Sequence, residues 1–248
     1  MFKKALFALL AMVVFATPAL AEKSITFAVD STWPPMEFVN QDKQIVGFSI
    51  DLVKAIGREA NFKPIFKTTA WDGIFAGLAA GKYDAIDSSV TINDKRKRVM
   101  DFSDPYFEVK QGVVVRKGAT IKSEADLKGK TVGAQIGTTG YFAAKRLKDV
   151  TPRSYDEVGL AIEDLNNERI DAVICDDAVA AGYALQNPEY KSKLDLAFML
   201  KSDKPEYLGF AFPKGSKDNI ELVNKGLSKV RASGEYETIF NKWFGSSN

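Results

Sequence analysis

Two rhythms of apolar and polar positions take turns along the chain. Residues 25–29 form a short apolar run of β type, after which Phe48, Leu52, Ile56 and Ala60 recur at every fourth position, one face of a helix. Residues 64–68 read as a strand. Asp72 then stands as the cap of a helix with Ile74, Phe75, Leu78 and Ala79 inward and Gly81 as its stop. Residues 83–86 return to β type. The pattern restarts with a β run at 112–116, a helical segment at 123–128 and a strand at 131–134. A helix opens at 138–141, another covers 156–166, and a strand at 170–174 leads into a helix over 177–185. The β run 208–212 precedes two helices. Their inward faces are Ile220, Val223, Leu227 and Val230, then Tyr236, Ile239, Phe240 and Trp243.

Such β-α-β alternation predicts an α/β protein of mainly parallel sheets flanked by helices. Two series, each with its own core, predict two lobes. Without a Pro/Ser-rich linker, the joins are expected as strand-like crossings near Lys110-Gln111-Gly112 and Glu206-Tyr207-Leu208-Gly209. That divides the chain into lobe one (22–110 and 209–248) and lobe two (111–208). Gly112 and Gly209 either absorb a hinge's change of φ and ψ or allow close packing.

The first residues have the three-part layout of a secretory signal peptide. Lys3 and Lys4 precede an apolar run over 5–15, and Ala19-Leu20-Ala21 is a small-residue cleavage signal, which predicts residues 1–21 as a cleaved leader. The run is short for a membrane anchor, which needs about 20 apolar residues. The expected location is the periplasm. Two of the 34 lysines and arginines leave with this leader, so 32 basic residues face 32 acidic ones. A neutral chain gives no electrostatic reason to expect nucleic acid or an anionic membrane surface as partner. The single cysteine, Cys175, cannot form an internal disulfide. It is either a reactive thiol or the buried end of the apolar run Ala172-Val173-Ile174. The chain has no histidine, which removes Ser-His-Asp and Cys-His catalysis along with the commonest metal ligand. No metal or cofactor is expected. Gly129-Lys130-Thr131 looks like part of a phosphate loop, but Glu124 stands where that motif needs glycine, and the segment precedes a strand instead of following one.

In open α/β sheets ligands sit at the carboxyl ends of strands. Four such ends carry polar groups that do not suit an apolar core: Asp30-Ser31-Thr32-Trp33; Asp87-Ser88-Ser89-Val90-Thr91, running on to Arg96; Gly137-Thr138-Thr139-Gly140; and Cys175-Asp176-Asp177. A free amino acid presents a carboxylate beside an ammonium. Arg96 offers a planar fork for the carboxylate, although Asp94-Lys95-Arg96-Lys97-Arg98 also reads as a solvated turn. The helix opening at Thr139 offers free N–H groups to the same anion. Asp176, with the hydroxyls of Ser89 and Thr91, suits the ammonium. Trp33 and Trp71 read as core or as pocket walls, and Asp30 and Asp87 as pocket acids or as turn and cap residues.

Eight stretches carry a resemblance. They are Val46-Gly47-Phe48-Ser49-Ile50-Asp51-Leu52, Tyr83-Asp84-Ala85-Ile86, Thr91 through Arg96, Asp101-Phe102-Ser103-Asp104-Pro105-Tyr106, Leu127-Lys128-Gly129-Lys130-Thr131-Val132-Gly133, Gly137-Thr138-Thr139, Arg169-Ile170-Asp171-Ala172-Val173 and Trp243-Phe244. In this order the chain resembles the periplasmic amino-acid-binding proteins of ABC importers, the group of the glutamine-, histidine- and lysine/arginine/ornithine-binding proteins. The resemblance implies the two-lobed type II periplasmic-binding-protein fold, closing on a small amino acid and delivering it to a membrane ABC permease that it meets transiently. It implies a monomer without cofactor. It places Ser89, Thr91 and Arg96 on lobe one and Thr139 and Asp176 on lobe two around the ligand's polar ends, with Asp30, Trp33 and Trp71 along its side chain. Gln135 stands where the glutamine-binding protein has a pocket lysine, Cys175 where it has histidine, and Asp87 where the family is usually apolar.

Asp30 and Asp87 beside Trp33 and Trp71 lead us to expect a cationic side chain, arginine, lysine or ornithine. Glutamine is the alternative, with Gln135 completing the pairing. A dehydratase on the same scaffold is a rival of another class, disfavoured because Arg96, Thr139 and Asp176 are all present. A receptor's sensor domain is the third reading, against which no later stretch is long and apolar enough for a membrane span.

Overall fold

The structure is a computed structural model that describes residues 23–245. The expected leader lies outside the described residues. The chain begins with β1 (Lys23–Val29), then a small ribbon of β2 (Thr32–Trp33), β3 (Glu37–Val39) and β4 (Ile45–Val46). Helix α1 (Phe48–Ala60), β5 (Phe62–Thr68), α2 (Trp71–Ala79), β6 (Ala85–Ile86), α3 (Asp94–Lys97), β7 (Met100–Phe102) and β8 (Phe107–Val109) follow. The second series is β9 (Gln111–Arg116), β10 (Thr131–Gln135), α4 (Thr139–Arg146), β11 (Thr151–Tyr155), α5 (Val158–Asn166), β12 (Ala172–Asp176), α6 (Asp177–Ala181) and β13 (Leu194–Met199). The chain returns through β14 (Glu206–Leu208) and β15 (Ala211–Pro213) to α7 (Lys217–Ala232) and α8 (Glu235–Phe244).

Two five-stranded sheets result, ordered β5-β1-β6-β15-β7 and β11-β10-β12-β9-β13. In each, the three strands joined through helices pair parallel, as the alternation predicts. The other two pair antiparallel, which makes both sheets mixed. The cause is the route of the chain. β9 and β15 enter directly from β8 and β14, which lie side by side as an antiparallel pair, so neither arrives through a helical crossover.

Periodicity places the helices well. Phe48, Leu52 and Ile56 of α1 are fully buried, and Asn61 ends the helix in the left-handed conformation, its N–H donating to Gly57 O. Phe48 packs against Phe107, Tyr236, Phe240 and Phe244, which ties α1 to the C-terminal helix. Burial of one such side chain is worth roughly 1.5–3 kcal/mol. A Cβ on Gly226 would lie 2.6 Å from Ile56 O, so this glycine lets α7 sit directly on α1.

Two local expectations change. Asp72 is not a helix cap: it and Gly73 are non-helical, and regular helix starts after them. The run 208–212 breaks at Gly209-Phe210, where Ser103 and Phe210 exchange hydrogen bonds, so it makes two strands. Gly112 and Gly209, expected either to absorb a hinge's change or to allow close packing, are both closely packed. An added Cβ would meet Ala180 Cβ at 3.0 Å and Ile92 Cδ1 at 2.8 Å respectively, and neither glycine has a positive φ.

Candidate functional site

The four polar strand ends converge between the two sheets. At the end of β1, Asp30 is buried. Its Oδ1 accepts from the Thr32 hydroxyl at 2.8 Å and its Oδ2 from Gln135 Nε2 at 2.8 Å. Gln135, at the end of β10, also accepts from Trp33 Nε1 at 2.5 Å and donates to Asp156 O at 2.8 Å. One amide thus stitches the two strand ends. Burial pushes the Asp30 carboxyl up, against the two hydrogen bonds that lower it.

After β6 the chain turns sharply, with Ser89 at φ 46°. Thr91 Oγ1 lies 3.2 Å from Thr139 Oγ1 across the cleft. Asn93 caps α3 by accepting from Arg96 N at 2.9 Å, which aims Arg96 inward instead of into solvent. The guanidinium donates to Thr91 O (3.0 Å) and Gly137 O (3.4 Å) and lies 5.4 Å and 5.2 Å from the ring centres of Trp71 and Phe75. Burial lowers its pKa to about 10, with Asp176 and then Glu206 pulling the other way. The solvated-turn reading of this segment fails at Arg96, while Asp94, Lys95, Lys97 and Arg98 are exposed.

On the opposite side, the Thr138 hydroxyl caps α4, accepting from Tyr141 N at 3.1 Å and donating to Gln135 O at 2.7 Å. Asp176, at the end of β12, accepts from Gln111 Nε2 at 2.9 Å. Burial pushes its carboxyl up to about 7. The amide of Gln111 also lies 2.9 Å from Glu206 Oε2 and 3.2 Å from Thr139 Oγ1. Cys175 is buried and burial raises its thiol pKa, so it is not a reactive thiol.

Trp33, Trp71, Ser88, Ser89, Thr91, Arg96, Thr138, Thr139 and Asp176 line the centre of this cleft. They enclose only about 10 Å³, room for little more than one water. A neighbouring cavity of about 260 Å³ is lined by Trp71, Ala70 and four carboxylates, Asp30, Asp72, Asp156 and Glu157. Asp87 does not line either space. Side chains alternate along extended backbone, so Ser88 reaches the cleft while Asp87 turns into the core. It is fully buried there. Gln111, Glu206, Phe75 and Glu37 escape the sequence reading. A polar Gln111 heading the apolar run Gly112-Val113-Val114-Val115 is the one signal that marks any of them in advance. Among the described residues no three His, Cys, Asp or Glu side chains gather as a metal-holding group.

The family model of bacterial extracellular solute-binding proteins, family 3, matches residues 25–246. A probable histidine-binding protein of Neisseria gonorrhoeae is 39% identical over 221 residues, 88% of this chain and 81% of the relative. ABC transporter arginine-binding protein 1 of Escherichia coli (strain K12) is 38% identical over 247 residues, 98% of each chain. The solved structure of the arginine-, lysine-, histidine-binding protein ArtJ from Geobacillus stearothermophilus matches with TM-score 0.83 at 38% identity, covering 91% of this chain and 97% of that one. By its sequence, its two mixed sheets and these likenesses, the chain belongs to the bacterial extracellular solute-binding proteins, family 3.

Proposed function

We propose that this protein captures an L-amino acid with a cationic side chain in the periplasm and delivers it, as a monomer, to an ABC permease without altering it chemically. Lobe one comprises 22–110 and 209–248, lobe two 111–208. Arg96 and the N–H groups at Thr139 hold the ligand's carboxylate, and Asp176 with Ser89 and Thr91 holds its ammonium. The single observation that carries the side-chain assignment is the cavity beyond Trp71: four carboxylates line it and no cation does. A guanidinium or ammonium placed there meets four carboxylates, Asp30 buried and Asp72, Asp156 and Glu157 at the exposed rim, whereas an acidic side chain adds to their charge. The relatives named for arginine, lysine and histidine support the same ligand class.

Glutamine is the second reading, favoured by one contact. Asp30 Oδ2 already accepts an amide N–H, that of Gln135, so a ligand amide fits the same acceptor. Calorimetry separates the two. The protein is unfolded, dialysed free of bound ligand, refolded and titrated with arginine, lysine, ornithine, histidine, glutamine and glutamate. We expect the tightest binding from a cationic member and none from glutamate. Tighter binding of glutamine than of arginine, lysine and ornithine alike rules out the cationic assignment.

A further inference from the structure

One layer beneath the cleft, two acidic side chains are buried beside each other. Glu37 of β3 and Asp87 after β6 are both 0% exposed. Glu37 Oε2 accepts from the hydroxyls of Ser49 (3.0 Å) and Ser89 (3.1 Å). Its Oε1, both oxygens of Asp87 and the hydroxyl of the buried Tyr106 have no hydrogen-bond partner among the described residues. The titratable groups whose charge reaches this cluster most strongly are acidic: Tyr106 beside the pair, Asp30 toward Glu37, and Asp176 from the other sheet toward Tyr106. Ser49 of α1 and Ser89 contribute only neutral hydroxyls. No lysine or arginine among the described residues forms an ion pair with either carboxyl. Two ionised carboxylates in such surroundings are too costly to coexist.

We propose that Glu37 and Asp87 share one proton, and that this pair, by holding the Ser89 hydroxyl, makes the cleft's grip on its ligand dependent on pH. Ser89 is the link. It lines the cleft, its left-handed backbone is unfavourable for a serine, and its hydroxyl is anchored on Glu37. Glu37 and Asp87 are thus positioning residues.

Burial raises both carboxyls, Asp87 to about 7, and the neighbouring Asp87 raises Glu37 further. Below about pH 4, near the ordinary values of both groups, folded and unfolded chains alike carry the protons. As pH rises, the unfolded chain releases them first and the folded pair later. The contribution of Asp87 to stability is therefore lost between about pH 4 and pH 7, while that of Glu37, held well above its ordinary value, persists to higher pH. Opening the cleft hydrates its floor and eases ionisation, so proton retention favours the closed form and tighter binding.

The link to the ligand rests on the amino-acid-binding reading; the shared proton does not. The test compares wild type with Asp87→Asn. We expect the wild-type Tm to fall from pH 5 to pH 8, the variant's to fall less, and the variant to be the more stable at pH 8. The ratio of wild-type to variant affinity for arginine should drop by up to about tenfold between pH 6 and pH 8.5, the equivalent of one pKa unit between open and closed cleft. Equal slopes of Tm with pH, or a variant less stable at pH 8, overturns the shared proton. So does a wild-type Tm that falls on removal of sodium and potassium while the variant's does not, because a cation then bridges the carboxyls. A constant affinity ratio beside a flattened stability profile overturns the link to the cleft. If arginine does not bind at all, the function reading fails while the stability comparison still decides the pair.

Discussion

Arg96, on α3, and Asp176, at the end of β12, lie on opposite sides of the cleft and each feels the other's charge. Both are costly to bury alone, and each gains a partner when a zwitterion lies between them. Removing one partner of a desolvated, hydrogen-bonded charge pair costs roughly 2–5 kcal/mol. We therefore predict that Arg96→Ala and Asp176→Ala each weaken amino-acid binding by about 30-fold to several thousand-fold, measured by calorimetry on variants whose circular dichroism matches wild type. A folded variant within threefold of wild type contradicts the clamp. Asp30 tests the other end of the ligand. Asp30→Asn removes charge but keeps an acceptor, so arginine should lose affinity relative to glutamine. An unchanged preference in a competition measurement separates Asp30 from ligand selection.

Elements aim these side chains, and here the sequence is informative in some places and silent in others. The helix α1 is legible because Phe48, Leu52 and Ile56, four residues apart, are all buried, with Ile50, Val53 and Ala55 widening the same face. The ribbon strands of two or three residues are not, since 32–33 and 45–46 are too short to show any period. Eight proposed site residues line the cleft or the cavity beside it, and the polar ones among them are legible because polar clusters at the ends of apolar runs are out of place in a core. Asp87 and Gln135 line neither space: Gln135 bridges Asp30 and Trp33, and Asp87 sits on the core side of the strand end, a choice of face that its composition does not reveal. Glu206 stays hidden because it reaches the site from a crossing strand, and Gln111, on the other crossing, shows only as the polar head of an apolar run. Caps matter at this scale. Thr138 holds the first turn of α4 and bonds back to β10. Thr138→Ala should cost about 1 kcal/mol, a drop in Tm of about 2–4 °C by calorimetric scanning. An unchanged Tm shows that the cap contributes nothing.

In the molecule as a whole the two halves are in contact. Trp33 and Asp30 on one side touch Gln135 on the other, Thr91 meets Thr139, and Arg96 reaches Gly137. With about 10 Å³ left at the centre, an amino acid has to part these contacts before it can enter, and only a closed cleft lets both halves grip it. Small-angle scattering of ligand-stripped protein should show its radius of gyration falling as arginine is added. No change at saturation contradicts closure. A crystal structure with arginine bound decides whether a basic amino acid is held by charge at both ends. We expect the α-carboxylate on Arg96 and the start of α4, the ammonium on Asp176, and the guanidinium past Trp71 among Asp30, Asp156 and Glu157. Arginine bound with its guanidinium turned away from these carboxylates, or bound outside the cleft, contradicts it.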